Sequence, residues 1–198
     1  MLKPSNDSDK TYLDSWLRSL SQAEKMLAED SGLPADYTPE SLLGYWEWMQ
    51  SHCELRHPFG DPLENDPSKV PEWAKREGLQ RIRSAVTIPT LELMGCMARY
   101  YGECLQRAVP KAQWRIWKWG VKGYAVHGDD QVALCITSPD EVRTFGDPIF
   151  PIHDIDVMVM RTIAPPPHPE STDFIAMYRM RIQSLQEGVR HLTANDRT

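Results

Sequence analysis

The stretch from Pro89 to about Ala108 constrains this chain most. Written as a helix, Leu91, Met94, Gly95, Ala98, Gly102 and Leu105 line one stripe, and Leu93, Met97, Tyr100 and Cys104 line an adjacent one. More than half the circumference is then apolar, the pattern of a helix surrounded by protein rather than lying on a surface. Gly95 and Gly102 both fall on this buried side. Glycine inside a helix costs about 1 kcal/mol against alanine, so close approach by a neighbouring element is the expected reason for both.

After Pro110 the period changes. Residues 113–119, 122–127 and 131–136 read as three short strands, with "HGDDQ" (127–131) carrying the Gly and Asp residues of a hairpin turn. In the first strand Trp114 and Ile116 share one face, and Arg115, Trp117 and Trp119 the other. Before this switch the chain reads as helices. One spans residues 9–29, with Leu13, Trp16, Leu17, Leu20 and Leu27 in line. Another opens at Thr38 as N-cap with Pro39 at its first turn, and buries Leu42, Leu43, Trp46 and Met49. A short basic helix follows at 72–84. After the strands come a helix at 151–164 (Ile152, Ile155, Val159, Ile163) and a last one at 172–192. The fold class expected is α+β, helix-rich, with a small three-stranded antiparallel sheet between helices.

A single domain over 1–198 is expected, in three parts. Residues 1–70 are helical and end in a proline-rich loop, 71–164 form the α+β core, and 165–198 are a C-terminal helix after the "PPP" linker. The last helix carries Phe174 or Ile175, Tyr178, Ile182, Leu185, Val189 and Leu192 at steps of three and four. Such a stripe either packs back on the domain or pairs residues 172–192 with a second copy as a dimer.

No apolar run approaches the roughly 18 residues that span a bilayer, and "MLKPSNDSDKTY" has no apolar signal core, so a cytoplasmic protein without membrane contact is expected. Of the four cysteines none forms a C-x-x-C pair. Cys96 and Cys104 stand about 12 Å apart along one helix, too far for a disulfide, and reduced thiols fit the compartment.

Charge is unevenly spread. Residues 1–70 carry thirteen acidic and six basic side chains, residues 71–125 four and ten, and residues 126–198 eleven and six. The basic middle segment 71–125 could serve a nucleic-acid-binding regulator. The overall charge of −6 argues against nucleic acid and for docking of the middle on its own acidic flanks.

Phosphate loops, dinucleotide fingerprints, G-x-S-x-G and H-E-x-x-H are all absent, which removes the easily read nucleotide, hydrolase and zincin classes. His52, Cys53 and His57 crowd a helix end, and His153, Asp154 and Asp156 begin a helix. Neither group supplies a convincing tetrahedral set, so no metal and no cofactor is expected. Glu103 stands between Arg99 and Arg107 at i−4 and i+4. Two guanidinium groups hold a carboxylate ionised, the wrong state for a general acid, so a structural ladder of Arg99, Glu103 and Arg107 is expected. No catalytic residue is assigned, although an unrecognised enzyme site near Glu103, His127 and His153 stands as an alternative. Trp114 and Gly102 read as architecture. Trp117 and Trp119, interleaved with Arg115 and Lys118, read as a partner surface if exposed and as core if covered.

A helix ending in Tyr-x-Gly-Glu (Tyr100–Glu103), a tryptophan opening the next strand (Trp114), and Phe150-Pro151 leading a helix "DIDVMVMR" together resemble small bacterial domains of the immunity-like kind found near polymorphic toxin systems. The resemblance covers about 85–164. It implies a non-enzymatic protein that neutralises a cognate toxin by binding and occluding it, and it carries over no catalytic residues.

Overall fold

The computed structural model describes residues 7–53, 68, 70–77, 79, 86–117, 131–136, 148–163 and 170–195. In chain order these form α1 (Asp7–Arg18), α2 (Leu20–Ser31), α3 (Pro39–His52), α4 (Glu72–Arg76), α5 (Ile88–Ala108), β1 (Gln113–Trp117), β2 (Gln131–Cys135), α6 (Pro151–Ile163) and α7 (Ser171–Asn195). The class is α+β and helix-rich.

Everything is arranged about α5. It touches α2, α3, α6 and α7, and every residue from Met94 to Gly102 is buried. Its start is set by Thr87, whose hydroxyl accepts from the Thr90 N–H, with a proline in the first turn. Thr38 caps α3 in the same way through Ser41. The two glycines of α5 are both contact points. A Cβ on Gly95 would lie 2.7 Å from the Trp73 ring, and one on Gly102 would lie 2.1 Å from the Trp114 ring. Neither distance is possible between real atoms, so α4 and β1 dock on α5 where glycine leaves room.

The expected helix at 9–29 is two helices. The chain turns at Ser19, whose hydroxyl donates to the Trp16 carbonyl at 2.7 Å. This back-bonding is a known way for serine to bend a helix. The break lets Trp16 of α1 and both Ala23 and Leu27 of α2 reach the same core. Gly32 closes α2 in the left-handed conformation, φ 72°.

The sheet differs from the sequence expectation. Among the described residues it has two strands, β1 and β2, antiparallel with Trp114 opposite Leu134 and Trp117 opposite Gln131. The expected middle strand at 122–127 and the turn at 127–131 lie largely outside the described residues. Gln131, the first residue of the strand expected at 131–136, is the first residue of β2. The second edge of β2 is met by a single antiparallel bridge, Leu134 to Ile149, with N–H to O distances of 2.8 and 2.9 Å. The bridge delivers the chain straight into Phe150 and α6, whose first N–H groups donate to the Phe150 carbonyl.

Residues 72–76 form the helix expected over 72–84, and 80–85 lie outside the described residues. Helix α7 lies on α3 and α5. Phe174 stacks on Trp46 with centroids 4.7 Å apart, and Phe174, Tyr178 and Leu185 are buried. The stripe that could have paired with a second copy is covered there by this chain's own helices. A buried polar tie holds α7 in place. Arg181 donates to both oxygens of Asp154, at 2.6 and 3.0 Å, and the Tyr101 hydroxyl donates to the same carboxylate at 3.1 Å. All four cysteines are free thiols.

Candidate functional site

Helix α4, the first half of α1 and the start of β2 enclose a polar group that nothing in the sequence marked. Glu77 is fully buried. Its Oε1 accepts from the Tyr12 hydroxyl at 3.0 Å and from the Val132 N–H at 3.2 Å. Its Oε2 is enclosed with no hydrogen-bond partner. Burial raises the carboxyl to about 7. The Val132 N–H, the Tyr12 hydroxyl and the positive charges of Arg76 and Arg99 pull the other way without cancelling that rise. The group therefore holds or releases a proton near neutral pH. Gln131 joins this node to α6. Its amide nitrogen donates to the Glu77 carbonyl at 2.9 Å and contacts His153 Nε2 at 2.8 Å. The Glu77 carbonyl fixes the amide's orientation, which makes His153 Nε2 the acceptor. At the outer side Arg76 pairs with buried Asp9 at 2.8 Å and stacks on Tyr12. This pair joins the basic middle of the chain to its acidic first helix, as the charge distribution suggested.

Arg99 corrects the expected ladder. Only Arg107 pairs with Glu103, at 2.9 Å, on the side where Arg107 also covers the Tyr37 ring at 3.5 Å. Arg99 points elsewhere, between Trp16 and Trp73, with its guanidinium 3.9 Å from the Trp16 ring centroid. The i−4 spacing allowed a pair with Glu103, but the Trp16 face offers a buried cation a better contact. Burial pushes the Arg99 pKa down. Arg99 lines a pocket of about 260 Å³ between α2, α4 and α5, with Ser19, Gln22 and Trp73. Met26, Glu92 and Cys96 continue into an adjoining pocket of about 440 Å³ that reaches Asp30, Trp48 and His52.

On the sheet, Trp114 and Ile116 join the main core, as their shared face required. Trp117 is 5% exposed and packs with Ala133, Cys135 and Phe150. It is part of the packing, not an open stacking platform. Arg115 bonds Gln113 at 2.7 Å. Trp119 and Lys118 lie outside the described residues, as does His127. Glu103 and His153 belong to different polar groups, the first with Arg107 and Tyr37, the second with Gln131. Among the described residues no three His, Cys, Asp or Glu side chains stand together at metal-holding distance. No helix among them is long and apolar enough to cross a membrane.

Sequence reading missed Glu77, Tyr12 and Gln131. Tyr12 offered a signal, standing one turn before Trp16 on the same face. Glu77 and Gln131 offered none, because their burial depends on partners 65 and 54 residues away.

No protein-family model matches the chain, and neither the search of curated proteins nor that of solved structures found a match.

Proposed function

We propose that this is a non-enzymatic, cytoplasmic protein-interaction protein that binds and occludes a basic partner, in the manner of an immunity protein neutralising a cognate toxin. The observation that carries the reading is the acidic surface of the first three helices. Residues 7–53 hold nine acidic and three basic side chains. Asp14, Glu29, Asp30, Asp36, Glu40 and Glu47 among them are exposed. Such a surface steers a basic protein such as a nuclease and suppresses acidic partners. The immunity-like pattern of Tyr100–Glu103, Trp114 and Phe150-Pro151 supports the same reading.

The test is co-expression with each toxin gene found beside this one. Rescue by the wild type is expected, and rescue should weaken in the double variant Glu40→Lys, Glu47→Lys. Failure to rescue cells from every such toxin would overturn the reading.

A further inference from the structure

We propose that the pocket between α2, α4 and α5 is a binding site for a small ligand carrying a carboxylate and a cationic group, with Arg99 taking the carboxylate and Glu92 and Asp30 the cation. The proposal is independent of the partner reading above.

The first observation is Arg99 itself. It is 9% exposed, yet its Nε is enclosed without an acceptor. A guanidinium has five N–H donors, and leaving charged donors unsatisfied inside a protein is costly. The obvious internal partner would be Glu77, whose charge Arg99 feels. The salt bridge is not made, since Glu77 gives its Oε1 to Tyr12 and Val132 and leaves Oε2 without a hydrogen bond. Instead the guanidinium lies on Trp16 with Trp73 beyond it. The stack holds a planar fork of donors in one orientation, the geometry that recognises a carboxylate in bidentate fashion.

The second observation is the pocket. Arg99 forms part of its wall beside the Ser19 hydroxyl and the Gln22 amide, and its volume of about 260 Å³ suits a molecule of amino-acid size. Trp73 supplies an apolar side.

The third is the sign of charge at the far end. Glu92 lies seven residues before Arg99 on α5, about 10 Å along the helix, and it lines both this pocket and the adjoining one that contains Asp30. A simple anion would be held at Arg99 and repelled at Glu92. A ligand with a cation at its other end satisfies both. That chemistry belongs to a free cationic amino acid and equally to a peptide ending in arginine or lysine.

Titration calorimetry of the full chain with L-arginine, L-argininamide and Gly-Gly-Arg tests the site. Saturable binding of L-arginine or the tripeptide is expected, with argininamide at least ~10-fold weaker because the charged fork loses its anion. Tighter binding of the tripeptide assigns the site to a peptide C-terminus, and equal or tighter binding of L-arginine assigns it to the free amino acid. Arg99→Gln should abolish binding. Because Arg99 is buried, two exposed variants accompany it. Glu92→Gln should weaken binding about 3- to 5-fold, and Met26→Trp, at a rim residue 37% exposed, should close the mouth. Absence of binding by both L-arginine and the tripeptide overturns the proposal. So does argininamide binding as tightly as L-arginine, or undiminished affinity in Met26→Trp.

Discussion

The ring of Trp114 occupies the space that a side chain on Gly102 would need: a Cβ there would stand 2.1 Å from Cη2 and 2.5 Å from Cζ2, with Pro151 Cγ at 3.1 Å. Helix α5, strand β1 and the start of α6 therefore meet at one missing methyl group.

Gly102→Ala should lower stability by about 1–3 kcal/mol, because displacing a buried tryptophan is an overpacking cost larger than the gain in helix propensity. Gly44→Ala is the control. A Cβ there would meet only the tip of the Leu33 side chain, at 2.9 Å, which can turn away. That variant should be neutral or more stable by up to about 1 kcal/mol. Urea midpoints of the two variants read the difference, and a Gly102→Ala protein as stable as wild type would remove the close-packing account.

Arg181→Ala should cost more than Asp154→Ala, although each removes the same ion pair. The Asp154 side chain is 7% exposed and Arg181 33%. Losing the arginine leaves a buried carboxylate with only the Tyr101 hydroxyl, a loss of about 3 kcal/mol. After loss of the aspartate the arginine can turn to water, and the cost falls to about 1–2 kcal/mol. Equal losses would mean that the carboxylate finds water too.

Glu77 predicts the sign of a pH dependence. Its folded value of about 7 lies above the ordinary 4.5, so between these values the native state binds the extra proton. Its contribution to stability is fully present below about pH 4.5 and is lost as pH rises to about 7, by roughly 3 kcal/mol in all. Glu77→Gln, an uncharged isostere, should flatten this slope between pH 5 and 7. The comparison is made by denaturant unfolding at each pH, and an unchanged slope in the variant would assign the effect to another group.

The thiols should react in order of exposure. Cys53 is half-buried, and burial alone raises it to about 11. Cys135 is buried and raised to about 12, and Cys104 is raised further by burial and the neighbouring Glu103 charge. A thiol reagent at pH 8 should label Cys53 first and slowly, with Cys104 and Cys135 labelled only on unfolding. Rapid labelling of all four in the native protein would contradict this order.

What the sequence made legible was what neighbours in the chain decide. Thr38-Pro39 and Pro89 set the starts of α3 and α5, and the crowded apolar surface around Gly95 and Gly102 marked the central helix. The rest turned on distant partners. Arg99 could have reached Glu103 by helical spacing, and only the arrival of Trp16 from α1 turned it away. The alternation of Val132, Leu134 and Ile136 marked β2, which pairs directly with β1, Trp114 opposite Leu134, and meets Ile149 by a single bridge; the strand expected at 122–127 lies outside the described residues. Glu77 follows a short basic helix like any surface glutamate. Tyr12 and Val132, 65 and 55 residues away, are what bury it.

The seating of α7 bears on how the chain folds as it is made. Phe174 completes the stack on Trp46, and Arg181 neutralises Asp154. Until residues 171–195 leave the ribosome, a nascent chain carries an uncovered tryptophan face and a carboxylate that lacks its cation. A chain cut before residue 171 would present that apolar surface to chaperones and proteases.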